Sequence, residues 1–301
     1  MSVDLGAAQR FMLGSARLLD RHRLAVLLGG APVEPVLDAL RPYRNPDGGF
    51  GHALEPDVRG PGSEPASVLH ALDVLEEVDA LDDEMVAPAA AWIASIAAAD
   101  GGVPFVTERA AEHPHAPWMV PSEGGSQLTF ALAGALWLAP RAGASDAAAR
   151  WLQSATDWCW ARLERPHELS AYAVKFALDF LDRVPDEHRA RERIEALRPR
   201  LGADGTLPVA GGTENERLGP LKLSDRPARR SRALFAAERI AAELDALERA
   251  QQEDGGWDFD WLAWSPGQTV EWRGAVTLRA LCTLRAHGRI PGTASGPRDR
   301  N

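Results

Sequence analysis

An Asp-Gly-Gly-aromatic turn recurs along this chain at a nearly constant interval, and that interval limits the fold more than any other feature. The strongest copy is Gln252-Glu253-Asp254-Gly255-Gly256-Trp257. Weaker copies are Asn45-Pro46-Asp47-Gly48-Gly49-Phe50, Ala99-Asp100-Gly101-Gly102-Val103 and Gly202-Ala203-Asp204-Gly205-Thr206-Leu207. The aspartates lie 53, 104 and 50 residues apart, so the period is about 52 and one copy near residue 152 has been lost. A unit of that length holds two helices of roughly 12–18 residues with their connections, which is the pattern of stacked helical hairpins. In 301 residues there is room for nearly six units. Six hairpins suffice to close a ring, with inner helices around a central cavity and outer helices facing water. The expected fold is all-α: an α/α toroid of five to six hairpins, one domain over residues 1–290, followed by a Gly/Ser/Pro-rich disordered tail over 291–301.

Hydrophobic periodicity predicts helices over 4–28, 32–44, 65–78, 84–99, 128–138, 147–163, 167–181, 186–201, 233–251 and 268–287. No convincing strand alternation is present, and less than about 10% strand is expected. Three long connections, 45–62, 100–125 and 202–231, and the Trp-rich segment 257–264 all follow Asp-Gly-Gly turns. Connections longer than about 12–15 residues tend to be functional. Equivalent turns in a closed ring emerge on one face, so Glu55–Asp57, His113–Trp118 and Asp258–Trp264 are expected to meet at one mouth of the cavity.

The net charge of −10 leaves no basic face for neutralising phosphates, which argues against a nucleic-acid partner. Cys159 and Cys282 follow no framework spacing and read as reduced thiols of a cytoplasmic protein. The N-terminus lacks the basic and apolar regions of a signal peptide, and no window reaches the roughly 18 apolar residues of a membrane span, so a soluble, unprocessed chain is expected.

The carboxylates in the Asp-Gly-Gly turns are most simply structural, capping neighbouring amides while glycine supplies the backbone conformation. Glu55 and Asp57 differ: they flank Pro56, and mutual proximity on a rigid loop would lift one pKa. Asp258 and Asp260 sit among Trp257, Trp261 and Trp264, where desolvation would turn a carboxyl into a general acid; pairing with Arg273 is the plainer alternative. His113 and His115 flank Pro114 without a zinc signature. Asp157 and Cys159, two apart on a helix, point about 200° apart and make poor joint ligands, so no metal site is expected. Trp118, Trp257, Trp261, Trp264 and Trp272 are candidates for lining the cavity, where an indole face stabilises a cation by about 0.5–2 kcal/mol. Arg226, Arg229, Arg230 and Arg232 form either a diphosphate clamp or an ordinary charged face.

With Gln252-Glu253-Asp254-Gly255-Gly256-Trp257 and its three partial copies, the chain resembles the prenyltransferase and squalene-cyclase repeat proteins, the terpenoid cyclase-like α/α toroids. The repeat covers roughly residues 45–287. The resemblance implies a helical barrel whose aromatic-lined, apolar cavity holds an isoprenoid chain. The Asp-x-Asp-Asp motif that supplies the proton in squalene–hopene-type cyclases is missing; Asp258-Phe259-Asp260 and Asp79-Ala80-Leu81-Asp82-Asp83 are the nearest strings. Asp157-Trp158-Cys159 has half of the zinc pattern of protein prenyltransferase β subunits, without a matching histidine. The aspartate-rich metal motif of ionisation-dependent terpene synthases is also missing.

The leading expectation is a terpenoid cyclase-like enzyme that protonates a polyprenyl substrate, with Asp57 or Asp260 as donor, Glu55 and Asp258 beside them, and His113, His115, the tryptophans, Arg226 and Arg230 contacting substrate. Mg2+ would enter only with a diphosphate substrate. The alternatives are a non-catalytic isoprenoid-binding or interaction module, and an (α/α)-barrel carbohydrate-active enzyme with paired carboxylates.

Overall fold

Each Asp-Gly-Gly turn closes on itself in the same way. The aspartate Oδ1 accepts from the amide two residues on: Gly49 for Asp47, Gly102 for Asp100, Thr206 for Asp204 and Gly256 for Asp254, all at 3.0–3.1 Å. The middle glycines Gly48, Gly101, Gly205 and Gly255 have φ between 74° and 94°, a region costly for any residue with a Cβ. The aspartates are structural, and three of the four turns, at Asp47, Asp100 and Asp254, dock on an outer helix of a neighbouring hairpin, whereas the Asp204 turn lies against Pro220 and Phe235.

The chain, described here from a computed structural model covering residues 3–121, 124–214 and 216–291, is 57% helical. In order, the described α-helices are α1 (Leu5–Ser15), α2 (Leu18–Gly29), α3 (Glu34–Leu40), α4 (Pro65–Glu77), α5 (Val86–Ile96), α6 (Leu128–Leu138), α7 (Asp146–Leu163), α8 (Ala171–Arg183), α9 (Glu187–Leu197), α10 (Pro220–Leu223), α11 (Ala237–Arg249) and α12 (Pro266–Ala286). Even-numbered helices form the inner ring: α4 packs on α6, α6 on α8, α8 on α10, and α12 on α2. Odd-numbered helices back them, giving six hairpins in an all-α toroid. No described helix is long and apolar enough to cross a membrane. Residues 292–301, expected as a tail, lie outside the described residues.

The turns show how the ring closes. Gly48 and Gly49 lie against Pro88 and Trp92 of α5, and Gly101 and Gly102 against Ser154 and Trp158 of α7. Gly255 and Gly256 lie against Ala7 and Phe11 of α1, so the last turn grips the first helix. Gln251 adds a paired clamp, accepting from the Asp4 amide and donating to the Asp4 carbonyl, both at 2.9 Å.

Two expectations are corrected. The helix expected over 4–28 is two helices, because Ala16 and Arg17 are extended (ψ 158° and 154°) and turn the chain from the outer to the inner layer. The 202–231 segment is not featureless: Leu207–Pro208 pairs antiparallel with Arg217–Leu218, and the fifth inner helix shrinks to the single turn of α10. The other helices match the periodicity to within a few residues, as the buried stripes demand. α6 is buried along nearly its whole length, which accounts for its unbroken apolar sequence.

Candidate functional site

The connection between the first turn and α4 is forced into an unusual path. Gly51 passes so close to the 61–62 backbone that a Cβ would stand 2.0 Å from the Gly62 carbonyl oxygen. His52 and Ala53 are both left-handed, with φ 55° and 59°. Such strain, about 1–2 kcal/mol per residue, persists only when surrounding contacts over-determine it. Here the Arg17 guanidinium donates to the Leu54 carbonyl at 2.8 Å, and Arg59 pairs with Glu271 of α12. Between those anchors Glu55 and Asp57 are turned inward and buried, at 8% and 4% exposure.

Asp57 is held by donors from far along the chain. Its Oδ1 accepts from Trp264 Nε1 at 3.1 Å, Gln268 Nε2 at 3.1 Å and Trp272 Nε1 at 3.0 Å. Gln268 and Trp272 are four apart and lie in one row on α12, and Trp264, two residues before the helix, joins them from the preceding segment. Trp118 adds a hydrogen bond to the same carboxyl. Burial nevertheless dominates and raises the Asp57 pKa above its ordinary value, with the Trp272, Trp264, Gln268 and Trp118 hydrogen bonds opposing it. Three donors on Oδ1 leave Oδ2 as the oxygen to carry a proton.

Glu55 lies beside this carboxyl. Burial, reinforced by Asp57, pushes its pKa well above the usual range. Its Oε2 is 3.4 Å from His70 Nδ1, and burial with the nearby Arg17, Arg23 and Arg279 pushes His70 well below its ordinary value. Both partners therefore favour their neutral forms, and the 3.4 Å contact is no ion pair of consequence. His70 Nε2 continues to Arg17, which pairs with Asp20; Arg23 joins Asp20 to Glu77, tying α2 to α4 by charge.

The three segments expected at one mouth do meet. His115 pairs with Val58 in an isolated β-bridge, the Ala116 amide donates to the Asp57 carbonyl at 2.8 Å, and Trp264 reaches Asp57. Glu64, just before α4, accepts from both the amide and hydroxyl of Thr107 and fixes the 100–121 connection over the ring. Trp261 stands edge-on to Trp272 with centroids 5.1 Å apart, and Trp118 is 37% exposed at the rim.

Other expected site residues are placed elsewhere. Asp258 pairs with Arg273 and Asp260 with Lys222, both at 2.6 Å and 57% and 35% exposed, so neither is desolvated among indoles. Trp257 is a core wedge, its indole donating to the Leu247 carbonyl and its amide bonded to Thr277. His113 packs on Gly60, and its carbonyl accepts from His115 Nδ1 at 2.7 Å; both serve the connection rather than Asp57. The arginine cluster does not converge on a clamp. Arg230 is spent on the Leu181 and Val184 carbonyls at the end of α8, Arg232 on the Ser224 carbonyl, Arg229 on Glu76 and Asp225, and Arg226 on Asp225. Asp157 is exposed and Cys159 buried, on opposite faces of α7.

Sequence reasoning missed Gln268, His70, Asp73 and Arg279. Gln268 had a signal, a polar residue midway between two tryptophans at helical spacing. The others belong to polar stripes on amphipathic helices, which in an inner helix face the ring and not bulk water.

The ring's interior is charged below the tryptophans. Asp73 of α4 is accessible yet enclosed, and burial with neighbouring Glu76 and Asp179 outweighs Arg183 and Lys175 to push its pKa up to about 6. Lys175 pairs with Asp179, and Arg183 with Glu76. An interior apolar throughout, as the family resemblance implies, is therefore not what this chain builds.

No family model matches the sequence, and no curated protein sequence matches it. Similarity appears at the level of structure. A crystal structure of a protein from Actinoplanes is 17% identical with a TM-score of 0.52, covering 94% of this chain and 99% of that one. The type II terpene cyclase MstE from Scytonema, as an arginine-to-alanine variant in complex with its substrate geranylgeranyl dihydroxybenzoate, is 14% identical with a TM-score of 0.57, covering 95% and 97%. The apo form of MstE gives 15% and 0.53. The chain has the terpene cyclase-like toroidal fold. At these identities the likeness extends to fold alone.

Proposed function

We propose that this protein is an acid-initiated isoprenoid cyclase in which Asp57 donates the proton. The observation that carries the reading is the Asp57 carboxyl itself: buried, raised in pKa, with Oδ1 saturated by Trp264, Gln268 and Trp272. In this scheme the Oδ2–H bond breaks as the proton adds to a terminal alkene carbon, and the tertiary cation left behind is attacked by the next alkene. The donors on Oδ1 stabilise the carboxylate as it forms, and Trp272, which reaches this carboxyl, and Trp261 packed edge-on against it offer indoles able to stabilise a nearby cationic carbon. Loss of a proton from the ring system closes the balance as an isomerisation. The fold shared with MstE, which binds geranylgeranyl dihydroxybenzoate, is consistent support.

A binding module without chemistry is the second reading, favoured by the charged interior around Asp73, Lys175 and Arg183. The carbohydrate reading loses ground because Glu55 and Asp57 share one loop and do not face each other across a groove. Incubation with farnesyl diphosphate, geranylgeranyl diphosphate, squalene and geranylgeranyl dihydroxybenzoate, followed by mass spectrometry, separates the readings. A cyclic product lost in Asp57→Asn is expected; cyclic product surviving that change removes the donor assignment, and binding without product leaves the module.

A further inference from the structure

The face of α12 that carries Trp272 continues through Val276 and Arg279 to Cys282. Its two ends show where it points. Trp272 reaches Asp57, and the Cys282 thiol lies against Glu77 of α4 beside Arg23. Arg279, two turns beyond Trp272 and one turn before Cys282, therefore faces the interior of the ring. It is accessible to solvent there. Its charge is felt by Glu55 on the first connection, His70 on α4 and Tyr172 on α8, three elements that surround the axis.

Arg279 makes no hydrogen bond or ion pair among the described residues. The groups around it do not neutralise it. Glu55 and His70 both favour their neutral forms. Tyr172 is a neutral phenol spent on Glu216, which also accepts from the Thr213 amide; Asp260 is spent on Lys222. Arg17 faces the same region but is already paired with Asp20. A guanidinium that opens on the lumen with no counter-ion from the protein is left available to an anion carried by a ligand.

We propose that Arg279 is the anchor for an anionic group, a carboxylate or a phosphate, on the ligand that occupies the ring. This deepens the isoprenoid reading by naming the substrate class: a chain whose alkene lies at Asp57 and whose anionic group lies at Arg279. The seven residues from Trp272 to Arg279 correspond to about 10 Å along the helix, so the two groups are separated by a distance on that order. The planar guanidinium takes two oxygens of either anion at once, so a lysine at the same place is a partial substitute.

Binding separates this proposal from the chemistry. Isothermal titration of the full chain with farnesyl diphosphate, farnesoic acid and farnesol compares one tail with three heads. The wild type is expected to bind at least one anionic probe about tenfold or more tighter than farnesol, and the stronger of the two identifies phosphate or carboxylate as the source. Arg279→Gln should erase that preference while leaving farnesol binding unchanged, and Arg279→Lys should restore part of it. Asp57→Asn should keep the preference, so a failed cyclase reading does not disguise itself as a failed anchor. Equal binding of all three probes by the wild type, no binding of either anion, or an anion preference that survives in Arg279→Gln each overturns the proposal. Circular dichroism melting shows whether Arg279→Gln is folded; if it is not, the Arg279→Lys result decides, since an unchanged preference for phosphate and carboxylate alike, without any loss of affinity, would contradict a bidentate anchor.

Discussion

The indole Nε1 of Trp272 donates to Oδ1 of Asp57 at 3.0 Å, across 215 residues of chain. That bond joins the first connection of the ring to its last inner helix, and Gln268 and Trp264 repeat it one turn apart. The acid is thus assembled from the two ends of the sequence at the seam where the ring closes.

Removing a single donor tests what the cage does. Trp272→Phe and Gln268→Leu each delete one hydrogen bond that lowers the Asp57 pKa, so that pKa should move further up. A proton donor then becomes weaker, and turnover of a cyclised substrate should fall by about 10- to 100-fold in each variant. The pH profile distinguishes this from loss of structure. The neutral acid is the active form, so activity falls as pH rises through the folded-state pKa, and that fall should shift to higher pH in both variants. An unshifted profile would mean that the cage does not govern the acid.

Closure of the ring rests on Gly255. Its φ is 93°, and a Cβ there would stand 2.3 Å from the Ala7 backbone of α1. Gly255→Ala therefore combines backbone strain with a clash that no side chain can relieve, and should cost about 2–4 kcal/mol in urea denaturation. Gly14→Ala, in the last turn of α1 with nothing within 4 Å, is the control and should be neutral or stabilising by about 0.5–1 kcal/mol. Comparable losses in the two variants would show that the Asp254-Gly255-Gly256 turn does not hold the first helix.

Asp73 predicts a pH-dependent stability. Its pKa is pushed up to about 6 in the folded protein against 3.8 ordinarily, so between those values the folded state keeps a proton that the unfolded state has released. Stability therefore falls as pH rises from about 4 to 6, and the penalty stays above that. Asp73 is accessible to water within the ring, which screens the effect to roughly 1 kcal/mol. Asp73→Asn should melt about 2 °C higher than the wild type at pH 8 and match it at pH 4. A gap that is the same at both pH values would place the effect outside ionisation.

The sequence by itself determined what depends on local chemistry repeated at a fixed interval. The hydrogen bond from the second amide after each aspartate and the positive φ of the intervening glycine need only neighbouring residues, so Asp47, Asp100, Asp204 and Asp254 were readable as one structural device, and their spacing as a ring. The same phase argument correctly brought Glu55–Asp57, His113–Trp118 and Asp258–Trp264 to one mouth. Only the tertiary structure decided which members of those segments turn inward. Asp57 is buried because Arg17 and Glu271, from opposite ends of the chain, pin its connection, whereas Asp260 finds Lys222 at the surface. The interior of the ring was equally hidden. A polar stripe such as His70, Asp73 and Glu77 has one periodicity whether it faces bulk water or a lumen, and only closure of α12 onto α2 encloses it.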